Sequence, residues 1–251
     1  MDRVKRLRIF AGPNGSGKTT LYNYLVKTNV FNSYYFINAD IINTDLNAFL
    51  NFGYFPINFS EADLYEFLDS SSFQSKINFK LSDAIEVKKT VISLKEHHLQ
   101  DTTYISAALS EFLRKKMILE SNSSFAFETV FSHKSKLDEI KFAKENGYKI
   151  YLYFIATDDF SVNLERVQGR IIKGGHSVPV EKIIDRYLRS LENLSKAIML
   201  ADKVFFFDNS EQEKIAKYSF FAEKKDNALH IPKGVMLPWW FSEYVLRKPC
   251  A

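Results

Sequence analysis

The chain has almost no sulfur chemistry to draw on. It holds one cysteine in 251 residues, and that one, Cys250, is the penultimate residue. An internal disulfide is excluded, which fits a reducing compartment and a cytoplasmic protein. Also missing is any apolar run near the ~20 residues that span a bilayer. The longest candidates, such as Val204-Phe205-Phe206-Phe207, are strand-sized. The basic, briefly apolar start ends at Gly12-Pro13-Asn14, too early for a secretory signal, so no membrane partner is expected. Strong charge of one sign is absent too. A formal net charge of +4 is too mild for the basic stripe that tight nucleic-acid binding needs, which makes nucleic acid an improbable partner. None of the five histidines stands at metal-ligand spacing, which argues against a zinc site.

What remains is the composition of an ordinary globular chain, 46% apolar and 25% charged. Aromatic residues are plentiful, 23 Phe and 13 Tyr, and are expected to fill the core. Short apolar runs at 7–11, 34–38, 125–129, 148–156 and 203–207 read as strands, and helical periodicities stand between them. That alternation predicts an α/β fold with a five-stranded, mostly parallel sheet covered by helices on both faces. Helices are expected over 82–99 and 105–120, within a helical region spanning 41–121. Further helices are expected at 134–145, 161–172 and, from Pro179, to about 201. After Ser210 the rhythm changes. Residues 215–222 and 228–231 could pair as a hairpin before a tail with Trp239-Trp240. The expected organisation is a domain over 1–210 and a small extension over 211–251.

Glycine is scarce, yet Gly12, Gly15 and Gly17 crowd into one loop. Gly12-Pro13-Asn14-Gly15-Ser16-Gly17-Lys18-Thr19, followed by Thr20, satisfies G-x-x-x-x-G-K-[ST] between a strand and a helix. Glycines let successive backbone N–H groups converge on one anion, and the helix N-terminus adds its positive dipole end. Lys18 supplies a cation for the outer phosphates, and the Thr19 hydroxyl can ligate Mg²⁺. A helix-capping turn alone would leave Lys18 and Thr19 without a reason. The loop says nucleoside triphosphate, but not what becomes of it.

Two carboxylates stand at strand ends. Asp40 can accept a proton from a hydroxyl attacking the γ-phosphate; the alternative is a helix N-cap. Glu128 could hold Mg²⁺ through water, bind substrate hydroxyls, or be a surface carboxylate, and Thr129 and Ser132 could donate to the same ligand. Arg166 and Arg170 share a helix face, just before Gly174-Gly175-His176. Paired arginines there suit a lid over about 161–190 that closes on a triphosphate; Glu165 favours the plainer reading of a solvated, salt-bridged face. Arg186 and Arg189 could add to the same basic pocket.

These segments together resemble the zeta toxin family of P-loop kinases. The resemblance spans about residues 7–210. It rests on Asn38-Ala39-Asp40, Phe125-Ala126-Phe127-Glu128-Thr129, Ala143-Lys144-Glu145-Asn146-Gly147-Tyr148, Arg166-Val167-Gln168-Gly169-Arg170, Gly174 to Pro179, Arg186-Tyr187-Leu188-Arg189-Ser190 and Asp208-Asn209-Ser210. It implies a kinase fold with ATP and Mg²⁺, Lys18 on the outer phosphates, Asp40 as base, Glu128 and Thr129 facing the substrate, and Arg166 in the lid. Asn209 joins the nucleotide-binding set. The family's characterised toxins phosphorylate a sugar hydroxyl of UDP-N-acetylglucosamine, which implies a sugar-nucleotide acceptor and an antitoxin partner. The chain departs from the toxins in lacking a second lid arginine before Pro179, where Arg170 or Arg186 could substitute. In this it looks more like the chromosomal branch. Two other classes stay open beside the small-molecule kinase: an NTPase that hydrolyses ATP only to change shape, and a polynucleotide 5′-hydroxyl kinase.

Overall fold

The computed structural model describes residues 4–32, 35–98, 102–172, 179–210 and 219–247. Cys250, the segment 174–178 and the first part of the expected hairpin lie outside the described residues. In chain order the elements are β1 (Arg6–Ala11), α1 (Lys18–Lys27), β2 (Phe36–Ile37), α2 (Ala39–Leu46), β3 (Leu50–Asn51), α3 (Glu61–Ser70), β4 (Ile85–Lys88), β5 (Val91–Leu94), α4 (Thr102–Glu120), β6 (Phe125–Thr129), α5 (Ser135–Glu145), β7 (Lys149–Ala156), α6 (Phe160–Ile172), α7 (Val180–Leu200), β8 (Lys203–Asp208), β9 (Ser219–Lys225) and β10 (Ala228–His230). They form two compact units, one of residues 1–33 with 126–251 and one of residues 34–125.

The first unit is built on a sheet in which the strands run β10-β9-β8-β7-β1-β6. β1 pairs with β7, and β7 with β8, in parallel; β9 adds to β8, and β10 to β9, antiparallel. The parallel strands are nearly all apolar, as strands covered on both faces must be: Leu7, Ile9, Phe10, Ile150, Leu152, Phe154, Val204 and Phe206 are all fully buried. On one face a row of rings crosses three strands. Phe10 stacks on Tyr153 at 4.7 Å and Tyr153 on Phe205 at 4.9 Å. The buried Arg8 guanidinium lies 4.6 Å over the Phe31 ring, an aromatic face taking the place of a carboxylate.

The sheet exceeds the expected five strands because residues 219–230 extend it. The expected hairpin is present, shifted to Ser219–Lys225 and Ala228–His230 and turned by Asp226-Asn227, both with positive φ. This extension belongs to the first unit and is no separate appendage. Trp240 and Phe241 are fully buried, with Trp240 5.5 Å from Phe154 and 5.7 Å from Phe221, and Phe241 4.9 Å from Phe206. The Trp240 Nε1–H donates to Asp208 Oδ1 at 3.2 Å, so the one polar atom of the plug is satisfied.

The second unit carries α2, α3 and α4 with a three-stranded antiparallel sheet in the order β3-β5-β4. It is therefore less helical than expected. The helix expected over 82–99 is a β-hairpin at 85–94 followed by a single turn at 96–98. The apolar positions fit a helical period, but Val87, Thr90, Val91 and Ile92 are β-branched, and Lys89 takes a left-handed conformation (φ 59°) that turns the chain back. α3 starts in a capping box, the Ser60 Oγ accepting from the Asp63 N–H and Asp63 from the Ser60 N–H. Phe52, Phe59, Phe67 and Phe112 pack edge to face as its core.

Trp240→Ala should cost about 3–5 kcal/mol of unfolding free energy, the usual range for emptying a buried aromatic site. Urea denaturation measures it; a loss within experimental error would show the tail to be dispensable to the first unit.

Candidate active site

The loop between β1 and α1 is held by close packing. A Cβ on Gly12 would lie 1.9 Å from the Ile155 carbonyl oxygen on β7, and one on Gly15 2.7 Å from the Asn163 carbonyl oxygen on α6. Gly15 and Gly17 also adopt positive φ, 76° and 96°. Two side-chain amides grip the loop from outside: Asn163 Nδ2 donates to the Asn14 carbonyl at 2.6 Å and Asn209 Nδ2 to the Ser16 carbonyl at 2.8 Å. A carbonyl engaged this way is not turned toward an anion, so the loop's concave side is left to its donors.

The loop's own polar groups fit a bound phosphate. The Ser16 hydroxyl is buried without a hydrogen-bond partner and can donate to a phosphate oxygen, whereas Asn14 Oδ1, buried likewise, only accepts and calls for a donor such as an ordered water. Lys18, first residue of α1, is buried; its ammonium donates to the Pro13 carbonyl at 2.8 Å and lies 3.9 Å from Glu128 Oε1. The Thr19 hydroxyl donates to Glu128 Oε2 at 2.6 Å. Lys18, Thr19 and Glu128 thus meet at one point, and the Thr19–Glu128 oxygen pair is the hard donor set that Mg²⁺ prefers. Thr20 is exposed on the next position of α1.

Other expected residues fall elsewhere. The Thr129 hydroxyl accepts from the Phe131 N–H at 3.1 Å, closing a turn in which buried Phe131 holds a left-handed backbone (φ 64°). A bulky residue in that region is a strained one, and such strain clusters at functional sites. α7 secures this turn: Ser190 Oγ donates to the Val130 carbonyl and Asn193 Nδ2 to that of Phe131. Ser132 lines an open cavity of about 380 Å³ with His133, Lys134, Arg189, Glu192 and Asn193. Arg166 and Arg170 ride on α6 and Arg186 on α7. Arg189, expected in a basic pocket, pairs instead with Asp185 at 2.8 Å on the surface of α7. Asn209, expected on the nucleotide, braces the loop through Ser16. In the second unit, Asp40 is the second residue of α2. The cap is Asn38, whose Oδ1 accepts from the Asp40 N–H at 2.7 Å, so the Asp40 carboxylate is not the helix cap.

No protein-family model matches the chain. A curated relative, an uncharacterized protein of Haemophilus influenzae, is 30% identical over 69 residues, which cover 28% of this chain and 49% of that protein. The chain therefore spans about half the length of the curated relative it matches. Solved structures match further. The AvrRxo1-ORF1:AvrRxo1-ORF2 complex with ATP contains a chain of similar fold (TM-score 0.54, 15% identity, 90% of this chain and 60% of the other). So does the PezAT chromosomal toxin–antitoxin system of Streptococcus pneumoniae (TM-score 0.53, 12% identity, 99% of this chain and 81% of the other). The α/β fold is shared. Among the described residues no helix is long and apolar enough to cross a membrane.

Sequence reasoning missed Asn163, and it quoted Tyr187 within a motif without giving its hydroxyl a role. The Asn163 Oδ1 lies against the Thr157 hydroxyl, and the Tyr187 hydroxyl donates to the Thr157 carbonyl at 2.7 Å. Nearby, partial burial and then the Asp208 charge push the Asp158 carboxyl above its ordinary value of 3.8. The folded protein thus holds this proton more tightly than the unfolded chain does. Its contribution to stability is full below the ordinary value and is lost as pH rises through the raised one. Asp158→Asn should therefore raise the urea midpoint near pH 7 and leave it unchanged near pH 3; an equal effect at both values would contradict the shift.

Proposed function

We propose that the chain is an ATP-dependent phosphotransferase that moves the γ-phosphoryl group to a hydroxyl of a small polar acceptor, a sugar nucleotide by the resemblance of its motifs. The observation that carries this reading is the convergence of Lys18, Thr19 and Glu128 beside a loop whose Ser16 hydroxyl is buried without a partner and free to donate to a phosphate oxygen. Such a cradle is built for a polyphosphate.

In this reading Lys18 leaves the Pro13 carbonyl for the outer phosphates, where its charge offsets that which develops on the transferring group. Thr19 and Glu128 are the residues that would hold Mg²⁺, which when bound neutralises phosphate charge. Asp40 takes the proton of the acceptor hydroxyl as its oxygen attacks phosphorus; the bond to the ADP leaving oxygen breaks as the new one forms. Its exposure, and the presence of Asn38 as the cap of α2, support that assignment. Arg166 and Arg170 on α6 and Arg186 on α7 supply the cations of a lid. Thr129 and Ser132 complete the acceptor side. The kinship of fold with chains from a toxin–antitoxin system and from a two-protein complex supports a protein partner acting as antitoxin.

Asp40→Asn should keep ATP affinity while phosphoryl transfer falls by about 10²–10⁴-fold, the usual worth of a general base. Lys18→Ala should weaken both. Incubation with γ-labelled ATP and a metabolite extract reads the acceptor. Label on a small molecule supports the proposal, label released only as phosphate points to an NTPase, and label on oligonucleotide ends to a polynucleotide kinase. Unchanged turnover in Asp40→Asn would falsify the assigned base.

A further inference from the structure

The phosphate loop and both helices that carry the candidate lid arginines are joined by one short buried chain of hydrogen bonds. Asn163, in the first turns of α6, donates from Nδ2 to the Asn14 carbonyl of the loop at 2.6 Å. Its Oδ1 lies against the Thr157 hydroxyl, which also reaches the Asp159 carbonyl at 3.0 Å. The Thr157 carbonyl accepts from the Tyr187 hydroxyl, midway along α7, at 2.7 Å. Asn163 and Thr157 are fully buried and Tyr187 is 2% exposed. Gly15 packs against the Asn163 backbone, so the loop touches α6 through main chain as well. Burial, with the Asp158 and Asp159 charges beyond it, holds the Tyr187 phenol protonated, so it stays a donor.

We propose that Asn163 and Tyr187 are positioning residues that transmit occupancy of the phosphate loop to α6 and α7. The proposal rests on the reading of the loop as an ATP site. None of these side chains faces a free surface, and none is replaceable by water without disturbing the others, because each lost bond strands a buried partner. A phosphate that fixes the Asn14 peptide therefore fixes the Asn163 amide. That amide holds Thr157, and Thr157 holds α7. Arg166 lies one turn beyond Asn163, and Arg186 immediately precedes Tyr187. The linkage thus sets the helices that bear both arginines, without either positioning residue touching the nucleotide.

Hydrogen exchange of the full chain, with and without MgADP, tests the linkage. In the wild-type protein MgADP should slow exchange in residues 12–20, in the first turns of α6 and around the middle of α7. Tyr187→Phe removes one oxygen. It should keep the protection of the loop and α6 while the nucleotide-dependent protection of α7 falls about fivefold, the effect of one net hydrogen bond. Asn163→Ala strands the Asn14 carbonyl and should loosen the loop with and without nucleotide, while MgADP still slows exchange in residues 12–20 but no longer in either helix. Should that variant fail to fold, Tyr187→Phe decides alone. A merely structural tyrosine would loosen α7 equally with and without nucleotide, and that result overturns the proposal. So does wild-type protection confined to the loop, which leaves the ATP reading intact. Absence of any MgADP effect at residues 12–20 refutes the ATP reading itself, and the linkage with it.

Discussion

The first unit depends on how tightly the turn after β1 is gripped. Its backbone passes so near Ile155 on β7 and Asn163 on α6 that a single methyl group at position 12 or 15 would collide with a carbonyl oxygen. Two asparagine amides then occupy the Asn14 and Ser16 carbonyls. A loop held by three elements at once is largely preformed, and a bound phosphate has only to still the motion that remains. Preformation matters for a phosphate site, because donors already aligned need no reorganisation when charge arrives. The cost of that alignment falls on Asn14 Oδ1 and Ser16 Oγ, which are buried with no partner from the protein itself.

The same constraint explains why the extension beyond Ser210 belongs to the unit. Asn209 reaches Ser16 from the end of β8, so the position of β8 is part of the loop's geometry. β8 in turn is backed by β9 and by Trp240, whose indole N–H binds Asp208, one residue before Asn209. A segment that first reads as an appendage therefore buttresses the strand end that braces the loop. Packing on one side and hydrogen bonding on the other fix the same few residues.

How much of this was legible in the sequence follows from the range of each interaction. The loop was legible because its chemistry is local: glycines, a lysine and a threonine at fixed spacing between a strand and a helix. β1, β7 and β8 were legible because their burial on both faces writes itself as unbroken apolar runs. The hairpin at 85–94 was not, since its apolar residues fit two periods and only a left-handed Lys89 decides between them. Asn209 was picked out as a site residue, but its action through the Ser16 carbonyl depends on a partner 193 positions away. Asn163 carried no motif at all. The one signal that could have found it is a polar residue at an inward-facing place in the first turns of a helix, where an apolar one would be expected.

A polar residue buried at such a place has to be satisfied, and here its satisfaction runs in two directions, to the loop and to Thr157. An apolar residue of similar size at position 163 would pack as well and cost less to desolvate. It could hold the helix, but it could not tie the orientation of a carbonyl in the loop to the orientation of a hydroxyl beneath α7. Directional bonds through buried atoms carry information about geometry that packing alone blurs, because packing tolerates small rotations and a hydrogen bond weakens steeply with angle. The polar chain from Asn14 to Tyr187, buried at Thr157, Asn163 and Tyr187, is thus better understood as a device for register between the loop and the two helices than as a contribution to stability.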